Sequence, residues 1–156
     1  MNREIEFRGK TAKGEWVYGY LVCSPNGDSF ECYIISDFDE RDSVYDLGKY
    51  AIKVIPETVG QYVGIKDKNG KKLYEGDIVY CSYNNCEVVF GLYGVDDYKT
   101  VGFFMKVNEA LFIDEEDDFV YWGFEYCDKI EILGNIYENP ELLNKIEYNG
   151  ESDNDI

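Results

Sequence analysis

Trp16-Val17-Tyr18-Gly19-Tyr20-Leu21-Val22-Cys23, then Ser24-Pro25-Asn26-Gly27-Asp28-Ser29, then Phe30-Glu31-Cys32-Tyr33-Ile34-Ile35, reads as strand, turn, strand. Aromatic and β-branched side chains dominate both flanks, and these fit a pleated, half-buried surface. Between them, Asn26-Gly27 is the strongest short-range hairpin signal, because both residues tolerate the positive φ of a tight primed turn. With those two residues as the turn, Cys23 faces Phe30 and Leu21 faces Cys32. The two cysteines then lie diagonally on one face, close but not directly paired.

The same alternation of apolar runs and turn signals continues along the chain. Residues 36–48 shift to Asp37, Asp39, Glu40, Arg41, Asp42 and Asp46, which reads as a loop with a short helix as the alternative. A second hairpin runs over 58–65, turns at Asp67-Lys68-Asn69-Gly70, returns through Lys72-Leu73-Tyr74, and bends at Glu75-Gly76-Asp77 into a strand over 78–83. Glycine at such a bend lets the chain swing sharply into a sheet. Further strands are expected at 87–90, 100–107, 110–113 and 119–124. Residues 129–137 alternate most clearly, with Ile130, Ile132 and Ile136 on one face and Gly134 between them. A helix start occurs at Asn139 as N-cap, with Pro140 at the first helical position, Glu141 in the first turn, and Leu142, Leu143 and Ile146 toward the core. No internal repeat is found.

Many short strands, close turn signals and one terminal helix predict a mainly β protein: an antiparallel, partly closed pseudo-barrel with a short C-terminal capping helix. Residues 1–148 read as one β domain, with 1–48 a candidate N-terminal hairpin lobe. Residues 149–156 form an acidic tail with too little apolar surface to order itself.

Composition narrows the function. The chain has 156 residues with 15 Tyr, 9 Phe and 2 Trp, enough apolar material for a packed core. Acidic residues number 32 against 15 basic, a net charge of −17, and such a field repels nucleic acid and anionic lipid. Direct nucleic-acid binding is therefore not expected; Lys66, Lys68, Lys71 and Lys72 read as a solvated hairpin tip. The charged opening MNREIEFRGK cannot serve as a signal peptide, and no apolar run reaches the ~18 residues of a membrane span. A cytosolic location is expected. Five scattered cysteines, Cys23, Cys32, Cys81, Cys86 and Cys127, are expected to be reduced thiols rather than a disulfide framework.

Three stretches together resemble the YopX-like phage and prophage proteins. Residues 55–79, IPETVGQYVGIKDKNGKKLYEGDIV, are similar to that family's signature. Residues 3–10 with 14–19 are similar to its opening, and 132–143, ILGNIYENPELL, to its ending. The resemblance implies a pseudo-barrel with helical capping, a phage or prophage origin and a tendency to self-associate. It implies no established activity. The acidic segments near 37–46 and 114–118 and the tail lie outside it.

Physically, the signature reads first as structural: Gly60, Gly64, Gly70 and Gly76 serve turns, bulges or close backbone approach, and Pro56 stiffens a strand entrance. The functional alternative makes Thr58, Gln61, Tyr62, Glu75 and Asp77 a shared polar recognition surface. The chain has no histidine, which removes the usual general base near neutral pH and the Ser-His and Cys-His pairs. Cys81-x4-Cys86 lacks a second ligand pair for zinc, and no positive sequence neighbour stabilises a Cys86 thiolate. Asp114-Glu115-Glu116-Asp117-Asp118 could attract calcium or magnesium, yet five adjacent carboxylates between two apolar strands splay around a turn. A solvated loop is the simpler reading. No phosphate-loop pattern occurs.

No catalytic, cofactor-binding or metal-binding residues are therefore expected, and no cofactor. The expected function is binding as an accessory protein, as a homo-oligomer, with a host protein as a further candidate partner and no membrane. Two alternatives stand beside it: an acidic mimic of nucleic acid that occupies a host protein's binding cleft, and a divalent-metal enzyme built on Asp114 to Asp118 or on Glu75 and Asp77.

Overall fold

The computed structural model describes residues 4–37, 43–81, 84–94, 99–108, 121–127 and 129–144. The chain divides into two compact units, Met1–Ile65 with Lys72–Glu75, and Lys66–Lys71 with Gly76–Ile156. Each holds one sheet.

In the first unit, β1 (Phe7–Lys10), β2 (Trp16–Asn26), β3 (Ser29–Ile35), β4 (Ala51–Val54), β5 (Gly60–Lys66) and β6 (Lys72–Tyr74) are ordered β4-β3-β2-β1-β5-β6. A 3-10 helix, Val44–Lys49, stands where the alternative to a loop was a short helix. The core gathers Cys32, Ile34 and Val54, with Phe7, Val17, Leu21 and Val59 packed against them. Each such side chain contributes about 1.5–3 kcal/mol when fully buried.

The second unit holds β7 (Asp77–Cys81), β8 (Asn84–Tyr93), β9 (Thr100–Val107), β10 (Tyr121–Trp122) and β11 (Glu131–Asn135), ordered β10-β9-β8-β7-β11. All its registered strand pairs are antiparallel. Ile78, Val79, Val88, Met105 and Val107 are fully buried. The protein is thus mainly β and antiparallel, and neither sheet closes on itself among the described residues. The C-terminal helix is a 3-10 turn, Pro140–Asn144, in which Leu142 N donates to Asn139 O at 3.0 Å. Ile146, the strand expected at 110–113 and the acidic tail lie outside the described residues.

Two local expectations are corrected. First, β2 and β3 pair with Cys23 opposite Cys32, Leu21 opposite Ile34 and Asn26 opposite Ser29, so the turn is Gly27-Asp28. Gly27 has φ 62° and Asp28 is not in the left-handed region, the combination a type II′ turn requires. Second, the pairing of β11 with β7 shifts between Ile132 and Gly134. The extra residue, Leu133, makes a bulge, so strict alternation through 129–137 is broken there.

The first correction overturns the expectation of five reduced thiols. Directly opposite, with Cα atoms 4.2 Å apart, Cys23 and Cys32 form a disulfide, and a second joins Cys81 to Cys127 across 46 residues of chain. Cys86 remains free and buried; burial pushes its thiol up to about 12. Protein purified without reductant should therefore show no reactive thiol when native, one per chain in denaturant and five after reduction. More than one thiol in denaturant alone would contradict the pairing.

Candidate functional site

Strand β2 is apolar on both sides, which is the signal that one side lacks a core to face. Val17 and Leu21 enter the core of the first unit, while the alternate residues Trp16, Tyr18, Tyr20 and Val22 line the opposite face. The register extends that face sideways: Arg8 lies opposite Tyr18, Lys10 opposite Trp16, and Tyr33 opposite both Val22 and Lys53. Tyr62 and Tyr74 continue it, their ring centroids 5.8 Å apart and Tyr74 5.5 Å from Tyr18. Toward its β2–β3 end the face is open: Tyr18, Tyr20 and Val22 are 46%, 60% and 48% exposed.

The cations on this face are engaged within it. The Arg8 guanidinium lies 4.7 Å from the Trp16 ring centroid and 5.1 Å from that of Tyr74, and its Nη2 donates to Glu75 O at 3.2 Å. Lys53 lies over Tyr33 and pairs with Glu31 at 2.6 Å. Their hydrogen bond and charge raise the lysine pKa and lower that of the carboxyl. Lys72 bridges Glu4 at 2.5 Å and Glu6 at 2.7 Å. The Tyr74 hydroxyl donates to Glu6; burial first, and that bond second, hold its pKa far above the usual phenol range. Such a surface offers ring area, phenol donors and internally neutralised charge. It suits contact rather than proton transfer.

The residues singled out from the signature are distributed differently. Thr58 is buried, with Oγ1 donating to Ile55 O at 2.7 Å and accepting from Lys10 N at 2.8 Å. Tyr62 is buried in the ring cluster, with Lys72 5.3 Å from its centroid. Gln61 lies opposite Phe7 and its carbonyl accepts from Glu75 N at 3.0 Å. Asp77 belongs to the second unit, where it is buried and paired in register with Asn135. The first four thus share one unit without forming a common exposed patch. What sequence reading missed is the open β2–β3 face, although the double-sided apolar pattern of β2 was the available signal.

The second unit has a cleft of about 320 Å³ lined by Glu87, Lys106, Val107, Asn108, Pro140, Leu143 and Asn144. Glu87 and Lys106 stand opposite each other; burial raises the Glu87 pKa and the lysine charge partly opposes this. Asn108 Nδ2 donates to Asn144 Oδ1 at 2.7 Å and Asn85 Nδ2 to Leu142 O at 2.7 Å. These bonds fasten the 3-10 turn to the sheet. Among the described residues no group of three or more His, Cys, Asp or Glu is placed to hold a metal; Asp114 to Asp118 lie outside them. No helix among the described residues is long and apolar enough to cross a membrane.

No curated protein matches the chain. The crystal structure of protein EF1440 from Enterococcus faecalis is similar at 24% sequence identity, covering 91% of this chain and 99% of that one with a TM-score of 0.45. The family model described as YopX protein matches residues 6–144, a span that includes both sheets and the 3-10 turn after β11. The chain therefore belongs to the YopX protein family.

Proposed function

We propose that this chain is a phage or prophage accessory protein that acts in the bacterial cytosol by binding, assembles with copies of itself and performs no chemical step. The observation that carries this reading is the open face of Tyr18, Tyr20 and Val22. Tyrosine supplies rigid amphipathic contact area at little entropic cost, and a contiguous exposed apolar face marks an interaction surface. The lack of histidine and the protected Cys86 thiol argue in the same direction.

The structure bridges both cysteine pairs, and alkylation at the moment of lysis reads whether they are bridged in the cell. Light scattering of the purified protein tests the assembly: a mass that is a multiple of 18.1 kDa at tens of micromolar is expected. A strictly monomeric mass would remove the reading.

A further inference from the structure

Beyond Glu87, strand β8 leaves β7 behind, and β10 accompanies β9 only at Met105 and Lys106. From Val89 opposite Phe104 out to Tyr93 opposite Thr100, the registered strand pairing among the described residues lies within the β8–β9 hairpin. Its two faces differ. On one, Gly91 lies opposite Gly102, and the notch is filled by Tyr93 stacked on Phe104 with centroids 4.7 Å apart. On the other, a single apolar row runs through two environments: Cys86, Val88, Met105 and Val107 are buried, while Phe90, Leu92 and Val101 are 54%, 60% and 65% exposed. Phe103 joins Phe90 there in an edge contact of 5.0 Å. A row that continues the buried one into solvent has the composition of an interface centre.

From this we infer that the exposed face of Phe90, Leu92 and Val101 is where a second copy of this chain docks, hairpin against hairpin across a two-fold axis. The inference rests on the self-assembly proposed above and gives it a location. Charge selects the occupant. Two copies at −17 each repel, so a contact between them is less costly where carboxylates are few. Residues 84–108 contain only Glu87, Asp96, Asp97, Lys99 and Lys106 as charged side chains, a net of −1 against −16 for the rest. A basic partner is drawn instead to the acidic stretches elsewhere. A two-fold contact also needs only a patch complementary to itself, which a ridge of interlocking Phe, Leu and Val side chains supplies.

The test is light scattering on the full chain, comparing wild type with Leu92→Ser/Val101→Thr, with Leu92→Asp/Val101→Asp and with Tyr45→Ser, a control at a side chain 95% exposed and outside both candidate faces. Because Leu92 and Val101 are mostly exposed, the Ser/Thr pair keeps the melting temperature and serves as the readout if the Asp pair does not fold. At least a twofold fall in mass is expected for the hairpin variants, with Tyr45→Ser unchanged. Raising sodium chloride from 50 to 500 mM is expected to tighten the wild-type assembly, since screening relieves like-charge repulsion. A wild-type oligomer whose mass survives both hairpin variants overturns this location and leaves self-assembly standing. Dissociation at high salt overturns the pairing of like copies through a near-neutral face, and a monomeric wild type overturns both readings.

Discussion

Gly19→Ala is expected to lower the unfolding free energy by about 4 kcal/mol or more, in the range reserved for forced backbone displacement. Gly19 lies in the middle of β2, opposite Phe7. A Cβ at this position would sit 2.0 Å from the carbonyl oxygen of Ile35 and 2.9 Å from its carbonyl carbon. Neither is the end of a flexible side chain. Ile35 is held by pairing with Tyr20 on one side and Ala51 on the other, so relief requires β3 to move with both neighbours. Folded domains hold about 5–15 kcal/mol in total, and the loss is a large share of it. Gly48→Ala is the matched control: nothing lies within 4 Å of its added Cβ, and its φ is not in the left-handed region. Urea titration should show a large drop in midpoint for the first variant and almost none for the second. Equal midpoints would mean that β2 and β3 do not approach this closely.

The contrast between these glycines shows how far sequence reading reaches. Gly19 stands between Tyr18 and Tyr20 and Gly48 between Leu47 and Lys49, and neither setting reveals that a carbonyl of β3 closes on the first while nothing closes on the second. Alternation located β2, β3 and β5 to β9, because period-two burial is a local property of the chain. Register is not. Moving the β2–β3 turn from Asn26-Gly27 to Gly27-Asp28 slides the pairing by two places, so each side chain keeps its face and the apolar pattern is equally satisfied. Turn chemistry alone decides, and both dipeptides are good turn formers. That slide converts Cys23 and Cys32 from diagonal neighbours into bonded partners, while the Cys81–Cys127 bridge joins segments 46 residues apart that no turn relates. The bulge at Leu133 was hidden for a related reason, since Gly134 signalled it while the three isoleucines suggested unbroken alternation. The candidate sites were harder still. Trp16, Tyr18, Tyr20 and Val22 are visible as a row in the sequence, but whether a row is covered or open depends on what folds over it.

Asp67 is the position where acidity enters the fold itself, and Asp67→Ala is expected to cost about 2–4 kcal/mol at neutral pH. Its Oδ1 accepts from Asn69 N at 2.8 Å and from Lys71 N at 2.9 Å, closing the turn between β5 and β6. Its Oδ2 accepts from Ile132 N at 3.3 Å, while Lys68 N donates to Ile130 O at 2.8 Å. One buried carboxylate thus shapes the turn and ties it to the start of β11. Alanine leaves three backbone N–H groups without this acceptor. Asn at the same position keeps one oxygen for the turn but presents either an NH2 group or nothing to Ile132, and should cost less than alanine. Burial by itself raises the Asp67 pKa, but the N–H donors of Lys71, Ile132 and Asn69 outweigh it, so the folded value lies below the unfolded one. The stabilisation is therefore complete above the unfolded value of about 3.9 and fades as pH falls through it toward the folded value. Wild type and Asp67→Ala should differ most near pH 7, and the difference should shrink as pH falls through the unfolded value and below the folded one. Stability curves that stay parallel from pH 7 down to pH 2 would show that the carboxylate charge holds nothing together here.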